Sequence, residues 1–144
     1  MTITDKLSRL KALNIRALFD EVLRENEETI LDMNRSQMYD EGVMDVNNPS
    51  SQEHYSPATI AQKKKAPFSK TEFITLKWMG KFHQSLKLLI FRDTFVISSD
   101  NLIWANFLET QNRFGKALGM TKSSKNELRD IARDSLIKAI RNVA

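Results

Sequence analysis

Residues 86–99, LKLLIFRDTFVISS, constrain the fold more than any other stretch. Leu86, Leu88 and Ile90 fall on every second position, the period of a strand with one buried face. Phe95-Val96-Ile97-Ser98-Ser99 follows with aromatic and β-branched residues, which suit a pleated surface. Arg92-Asp93-Thr94 lies between the two runs and reads as a turn. The pair predicts a small antiparallel hairpin. Helical spacing on either side of it gives an α+β class, with a long N-terminal helix, a short central helix, the hairpin and a C-terminal helix.

From Thr4 to Met38 the spacing predicts one long helix, capped by Thr4 or Asp5. Leu7, Leu10, Leu13, Ala17, Leu18, Val22, Ile30, Met33 and Met38 recur at three- and four-residue steps and form one apolar stripe. The polar middle, RENEETILD, is where such a helix bends or breaks, and Gly42 is suited to ending it. Glu41 to Glu53 lacks periodicity and reads as a loop. Ser56-Pro57 then starts a short helix, with Ser56 as N-cap and Pro57 at a position whose N–H has no partner to lose. That helix stops near Ala66, because Pro67 disfavours helical geometry in the residue before it. Asp100 is expected to cap another short helix carrying Leu102, Ile103, Phe107 and Leu108, ending before Gly115. Ser124-Lys125-Asn126-Glu127 matches a capping box, and Leu128, Ile131, Ala132, Leu136, Ala139, Ile140 and Val143 continue it as one helical face. A chain of 144 residues is read as one domain, with residues 1–40 as a helical arm and 54–144 as the α+β body.

Several function classes lose support here. The chain has no cysteine, hence no disulfide, thiolate nucleophile or cysteine-based zinc site. It has no run of about 18 apolar residues to span a membrane, and its first residues do not resemble a secretory signal. The histidines, His54 and His83, stand without an evident acid–base partner. No nucleophile elbow, phosphate-binding loop or metalloprotease motif is present. Glu25, Glu27, Glu28 and Asp32 read as a solvated helix face rather than a metal site. No catalytic residue, cofactor or metal is expected, and a reducing cytoplasm is the expected place of synthesis.

Charge is distributed unevenly. Residues 1–53 carry six Lys/Arg against eleven Asp/Glu, whereas residues 54–144 carry sixteen against seven. The basic part could meet nucleic acid, or the acidic part of one copy could meet the basic part of the next. Lys63, Lys64, Lys65, Lys70, Lys77, Lys81 and Lys87 are interleaved with Phe68, Phe73, Trp78 and Phe82, a pattern compatible with phosphate contacts and base stacking. The lysine run 63–65 also has a local account, since cations at a helix C-terminus face the negative end of its dipole. Gly80 sits where a sharp turn before a strand is expected. Trp78, Phe82 and Trp104 are read as core or subunit-interface residues.

Taken in order, these pieces resemble a known family. Tyr39-Asp40-Glu41-Gly42, YSPATIAQKK, TLKWMGKFHQSL, a strand pair and FGKALGMT before a terminal helix are similar to the bacteriophage virion-morphogenesis proteins. These are also described as tail-completion or head–tail joining (connector) proteins. The family's Leu-Ser- or Tyr-Ser-Pro-x-Thr-Ile-x-x-Lys segment is matched by Tyr55 to Lys63. Its Thr-Leu…Thr-Gly-x-Leu/Phe-x-x-Ser segment is matched by Thr75-Leu76 and Gly80 to Ser85, and a Gly-Leu-Thr-like tripeptide by Gly119-Met120-Thr121. Met79 departs from the family's usual Thr, and the segment after the hairpin lacks the usual Gly-rich loop. The resemblance implies a non-enzymatic subunit that assembles into a ring of about six or twelve copies in the virion neck or tail. Its partners would be itself and portal, connector or tail proteins, and it would be made in the bacterial host's cytoplasm. Leu18 and Val22 of the N-terminal helix, with Trp78, Gly80 and Phe82, are the expected subunit contacts, together with Trp104. Lys63, Lys64, Lys65 and Lys70 are the expected contacts to DNA in a channel or to an acidic neighbour. The competing expectations are a small DNA-binding accessory protein using residues 63–87, and a transient virion assembly factor.

Overall fold

The computed structural model describes residues 2–12, 14–50, 52–91, 94–100 and 117–143. Three helices replace the single N-terminal helix expected from the sequence: α1 (Ile3–Ala12), α2 (Ile15–Glu25) and α3 (Glu27–Tyr39). The first break follows from capping. Asn14 takes an extended conformation, and its side-chain oxygen accepts from the Ala17 N–H at 3.1 Å, so a new helix starts there. The second break is only a bend, and it falls inside RENEETILD. Asn26 departs from helical φ/ψ, yet its N–H donates to Val22 and its carbonyl accepts from Ile30. At the start of α1 the cap is Thr2 rather than Thr4 or Asp5. Its hydroxyl accepts from the Asp5 N–H while the Asp5 carboxylate accepts from the Thr2 N–H, a reciprocal arrangement.

After α3 the chain reverses at Gly42. Its φ of +70° lets the Val43 N–H return to the Gln37 carbonyl at 2.9 Å. The loop leads to α4 (Pro57–Lys63), where Ser56 caps and Pro57 occupies the first turn as expected. An irregular segment then reaches the one-turn α5 (Lys81–Gln84). It runs directly into the hairpin, β1 (Leu86–Ile90) and β2 (Phe95–Ser99). The strands pair antiparallel with Leu86 opposite Ser99, Leu88 opposite Ile97 and Ile90 opposite Phe95. That register places the alternating residues of both strands on one inward face, which packs on α3. Arg92 and Asp93 of the turn lie outside the described residues, as does the helix expected to follow Asp100. Asp100 itself closes the hairpin: its N–H donates to the Ser85 carbonyl, and its carboxylate pairs with Lys87.

The last helix, α6 (Lys122–Val143), starts three residues earlier than the Ser124 capping box implies. Thr121 is its cap, accepting from the Ser124 N–H at 3.2 Å. The reason is tertiary. Thr121 is buried, and its N–H donates to the Gln37 side chain at 3.0 Å, which fixes the helix start against α3. The core is assembled from Ile30, Leu31 and Met38 of α3, Met44, Ile74, Leu76, Phe82, the inward face of the hairpin, and Met120 and Leu128. α6 reaches it through its first turns, packing on α2 and, more lightly, on α1.

Candidate functional site

The segments that carry the family-like spacing meet around one side chain. Lys63, the last residue of α4, is fully buried. Its ammonium donates to the Lys77 carbonyl at 2.8 Å and to the Phe68 carbonyl. The rings of Tyr55 and Trp78 flank it, with centroids 5.7 and 5.9 Å away. A buried cation is tolerated only where acceptors replace its water, and here backbone carbonyls and aromatic faces do so. Desolvation pushes the Lys63 pKa below its usual value. The side chain is therefore removed from the expected surface contact with DNA or a neighbour, because no exposed part of it remains.

Tyr55 and His83 clamp the other side of the same loop. The Tyr55 hydroxyl accepts from the Thr75 N–H at 3.0 Å, and His83 Nε2 donates to the Thr75 carbonyl at 2.9 Å. The Thr75 hydroxyl accepts from the Lys77 N–H. Between these bonds Leu76 adopts a φ of +56°, unusual for a residue with a Cβ. Its buried side chain and the fixed carbonyls on both sides over-determine that conformation. His83 is itself buried, and its Nδ1 has no hydrogen-bond partner among the described residues. Burial lowers its pKa to about 4, against a favourable bond to Thr75 and with help from nearby Lys77, Arg35 and Lys63. It stands neutral at pH 7 and is committed to the loop through Nε2.

The lysines of this region divide into two kinds. Lys70 lies over Tyr39 and Phe73, and Lys77 over Tyr39 and Phe68, with ammonium-to-centroid distances from 4.2 to 5.3 Å. Lys64 and Lys65 are exposed and make no ion pair among the described residues. Of the expected surface cations, Lys64 and Lys65 face solvent outright, Lys70 only in part.

The residues expected at subunit contacts also divide. Val22 and Phe82 are buried in the core of the single chain, so a neighbour does not reach their side chains. Leu18 and Trp78 are half-buried. Gly80 is buried at the cap of α5, with a φ of +84° and the Phe68 ring 3.0 Å from where a Cβ would stand. Met79, between them, is the residue that faces outward, 56% exposed. Trp104 lies outside the described residues.

Sequence reasoning missed two buried amides on α3. Asn34 donates to the Ala117 carbonyl and Gln37 to the Gly119 carbonyl, at 2.9 and 3.0 Å. They hold the 117–121 segment in place. The only signal was their position on the apolar side of the α3 repeat.

A second surface lies beside the turn end of the hairpin. A groove of about 1570 Å³ runs between α2, β2 and the first half of α6. Phe19, Phe91, Val96 and Ile137 line it and are all exposed. Among the described residues no group of His, Asp or Glu is placed to hold a metal, and no helix is long and apolar enough to cross a membrane. The chain matches no protein-family model, no curated protein and no solved structure.

Proposed function

We propose that this chain is a non-enzymatic structural subunit of a bacteriophage virion, a ring-forming head–tail connector or tail-completion protein of the neck or tail. The observation that carries the reading is the use made of the family-like residues. Tyr55 and Lys63 of the first segment bond to Thr75 and Lys77 in and beside the second, so the two recurring segments form one clamp. Gly119 and Thr121 of the third are tied to Gln37. Their roles are architectural, which agrees with a family that carries no catalytic residues. The uneven charge of the chain suits copies that meet acidic face to basic face. Mass spectrometry of purified phage particles tests the reading: the protein is expected in the mature particle in multiple copies. Its absence there overturns the structural role and leaves a transient assembly factor.

A second reading, a DNA-binding accessory protein, is favoured by the exposed Lys64, Lys65 and Lys81. Lys63 is withdrawn into the interior and Lys70 and Lys77 are engaged with aromatic rings, so its basic stretch is smaller than the sequence suggests.

A further inference from the structure

We propose that the exposed cationic row of α6 is the docking surface for the acidic row of α2 and α3 on a second copy of the chain. Lys125, Arg129 and Arg133 stand at four-residue steps on one side of α6, all exposed. A step of four places successive residues about 6 Å apart along one helix face. None of the three has a carboxylate partner among the described residues, although Arg24, Arg35 and Lys87 all do. The same three side chains form one rim of the apolar groove, beside the exposed Phe19 and Ile137.

The matching surface is on the same chain. Glu21, Glu25, Glu28 and Asp32 follow steps of four, three and four, and helical hydrogen bonding continues across Asn26, so they form one exposed row. Arg35 bonds to Glu28 and Asp32, leaving Glu21 and Glu25 without an ion pair among the described residues. Like charges at these spacings repel within each helix, and contact between the rows relieves both at once. No ion pair joins the rows within one chain among the described residues. Two rows on different elements admit a head-to-tail contact, the type that closes into a ring or continues as a filament, and the ring-subunit reading selects it over a reciprocal two-fold pair. The second copy also shields the apolar groove beside α6. This inference rests on the ring-subunit reading and names the two surfaces through which it acts.

Charge exchange tests it. Arg129→Glu/Arg133→Glu and Glu21→Lys/Glu25→Lys are prepared, their folding checked by circular dichroism, and self-association measured by sedimentation at low and high salt. The wild type is expected to associate at low salt and to weaken as salt rises. Each variant alone is expected to associate at least about tenfold more weakly, and an equal mixture of the two to return close to the wild type. Wild-type protein that stays monomeric at low salt, variants that associate like the wild type, or a mixture that fails to recover would each overturn the proposal. If recovery fails while mature particles contain the protein, the row contact is wrong and the structural role stands. If recovery succeeds while particles lack the protein, the contact stands and the virion role falls.

Discussion

The Tyr55–Ser85 region and the α2–α6 face are held by different physics. The first is fixed by directional bonds to backbone: Lys63 to two carbonyls, Tyr55 to an N–H, His83 to a carbonyl, Arg35 to the His83 carbonyl at 2.8 Å. The second is an apolar contact along one side of two helices, open at its edge, with charges left at the rim. In the first region polar groups are buried and, His83 Nδ1 apart, satisfied, so each bonded one is costly to remove. In the second, apolar groups stay exposed and Lys125, Arg129 and Arg133 have no ion pair among the described residues, so substitutions there are expected to act on the proposed association rather than on folding. Tyr55, Lys63 and His83, which stand out in the sequence, are committed to hydrogen bonds within the fold, and the exposed face beside α6 is the one proposed to meet a second copy.

The sharpest way to break this comparison is Lys63→Met. The substitution keeps the length of the stem but leaves the Phe68 and Lys77 carbonyls unpaired in the interior, at about 1–3 kcal/mol each. Relief of the buried charge offsets part of that. Loss of about 4 kcal/mol is expected in urea unfolding. A loss under about 1 kcal/mol would mean that the clamp is not what fixes the loop.

His83 gives the next largest effect, through pH. The folded chain keeps it neutral down to about pH 4, while the unfolded chain protonates it near 6.5. Between those values the unfolded state binds the extra proton, so stability falls as pH drops from about 6.5 to about 4 and is unaffected by this group above that window. The full loss is about 3 kcal/mol, at 1.36 kcal/mol for each unit. Unfolding measured across the window in wild type and His83→Gln isolates the term, since the variant lacks that share of the slope.

Gly42→Ala probes the entry to the clamp. A Cβ there would stand 2.5 Å from the Phe73 ring, and φ is +70°. Left-handed strain and the clash together are expected to cost about 2–3 kcal/mol. Thermal unfolding checks this, and an unchanged midpoint would show that Phe73 and the turn can move freely.

The hairpin, the Ser56 cap and the C-terminal helix were legible because each is written in a short window: strand alternation, a Ser-Pro start, a helical repeat. The N-terminal helix was misjudged at its first break, because Asn14 is an ordinary helix-surface residue until its side chain acts as a cap, whereas the bend at Asn26 falls in the polar stretch where one was expected. The true start of α6 was hidden for another reason, since Thr121 is held by Gln37, 84 positions away. Lys63 is the deepest case. Three identical residues in a row carry no local sign of which one turns inward, and only the return of residues 68–78 over α4 decides it. Val22 and Phe82 follow the same logic, because an apolar stripe does not say whether its own chain or another covers it.

Lys64→Glu/Lys65→Glu is expected to do least, and its small effect has content. Both side chains are exposed just past the end of α4, and neither has an ion-pair partner among the described residues. Cations near a helix C-terminus contribute about 0.3–1 kcal/mol at most, and a helix of two turns has little dipole to complement. Reversing both charges is therefore expected to cost under about 1 kcal/mol, and less as salt rises. The same pair of substitutions leaves the proposed row contact on α6 untouched, so self-association is expected to remain. What it does remove is two of the three exposed cations, Lys64 and Lys65 but not Lys81, that the basic stretch leaves free to meet phosphate. If wild-type protein binds duplex DNA in a salt-dependent way and this variant does not, the accessory-protein reading gains the contact it needs. If neither protein binds, two of three adjacent lysines are no more than a solvated helix end beside a third that holds the fold together.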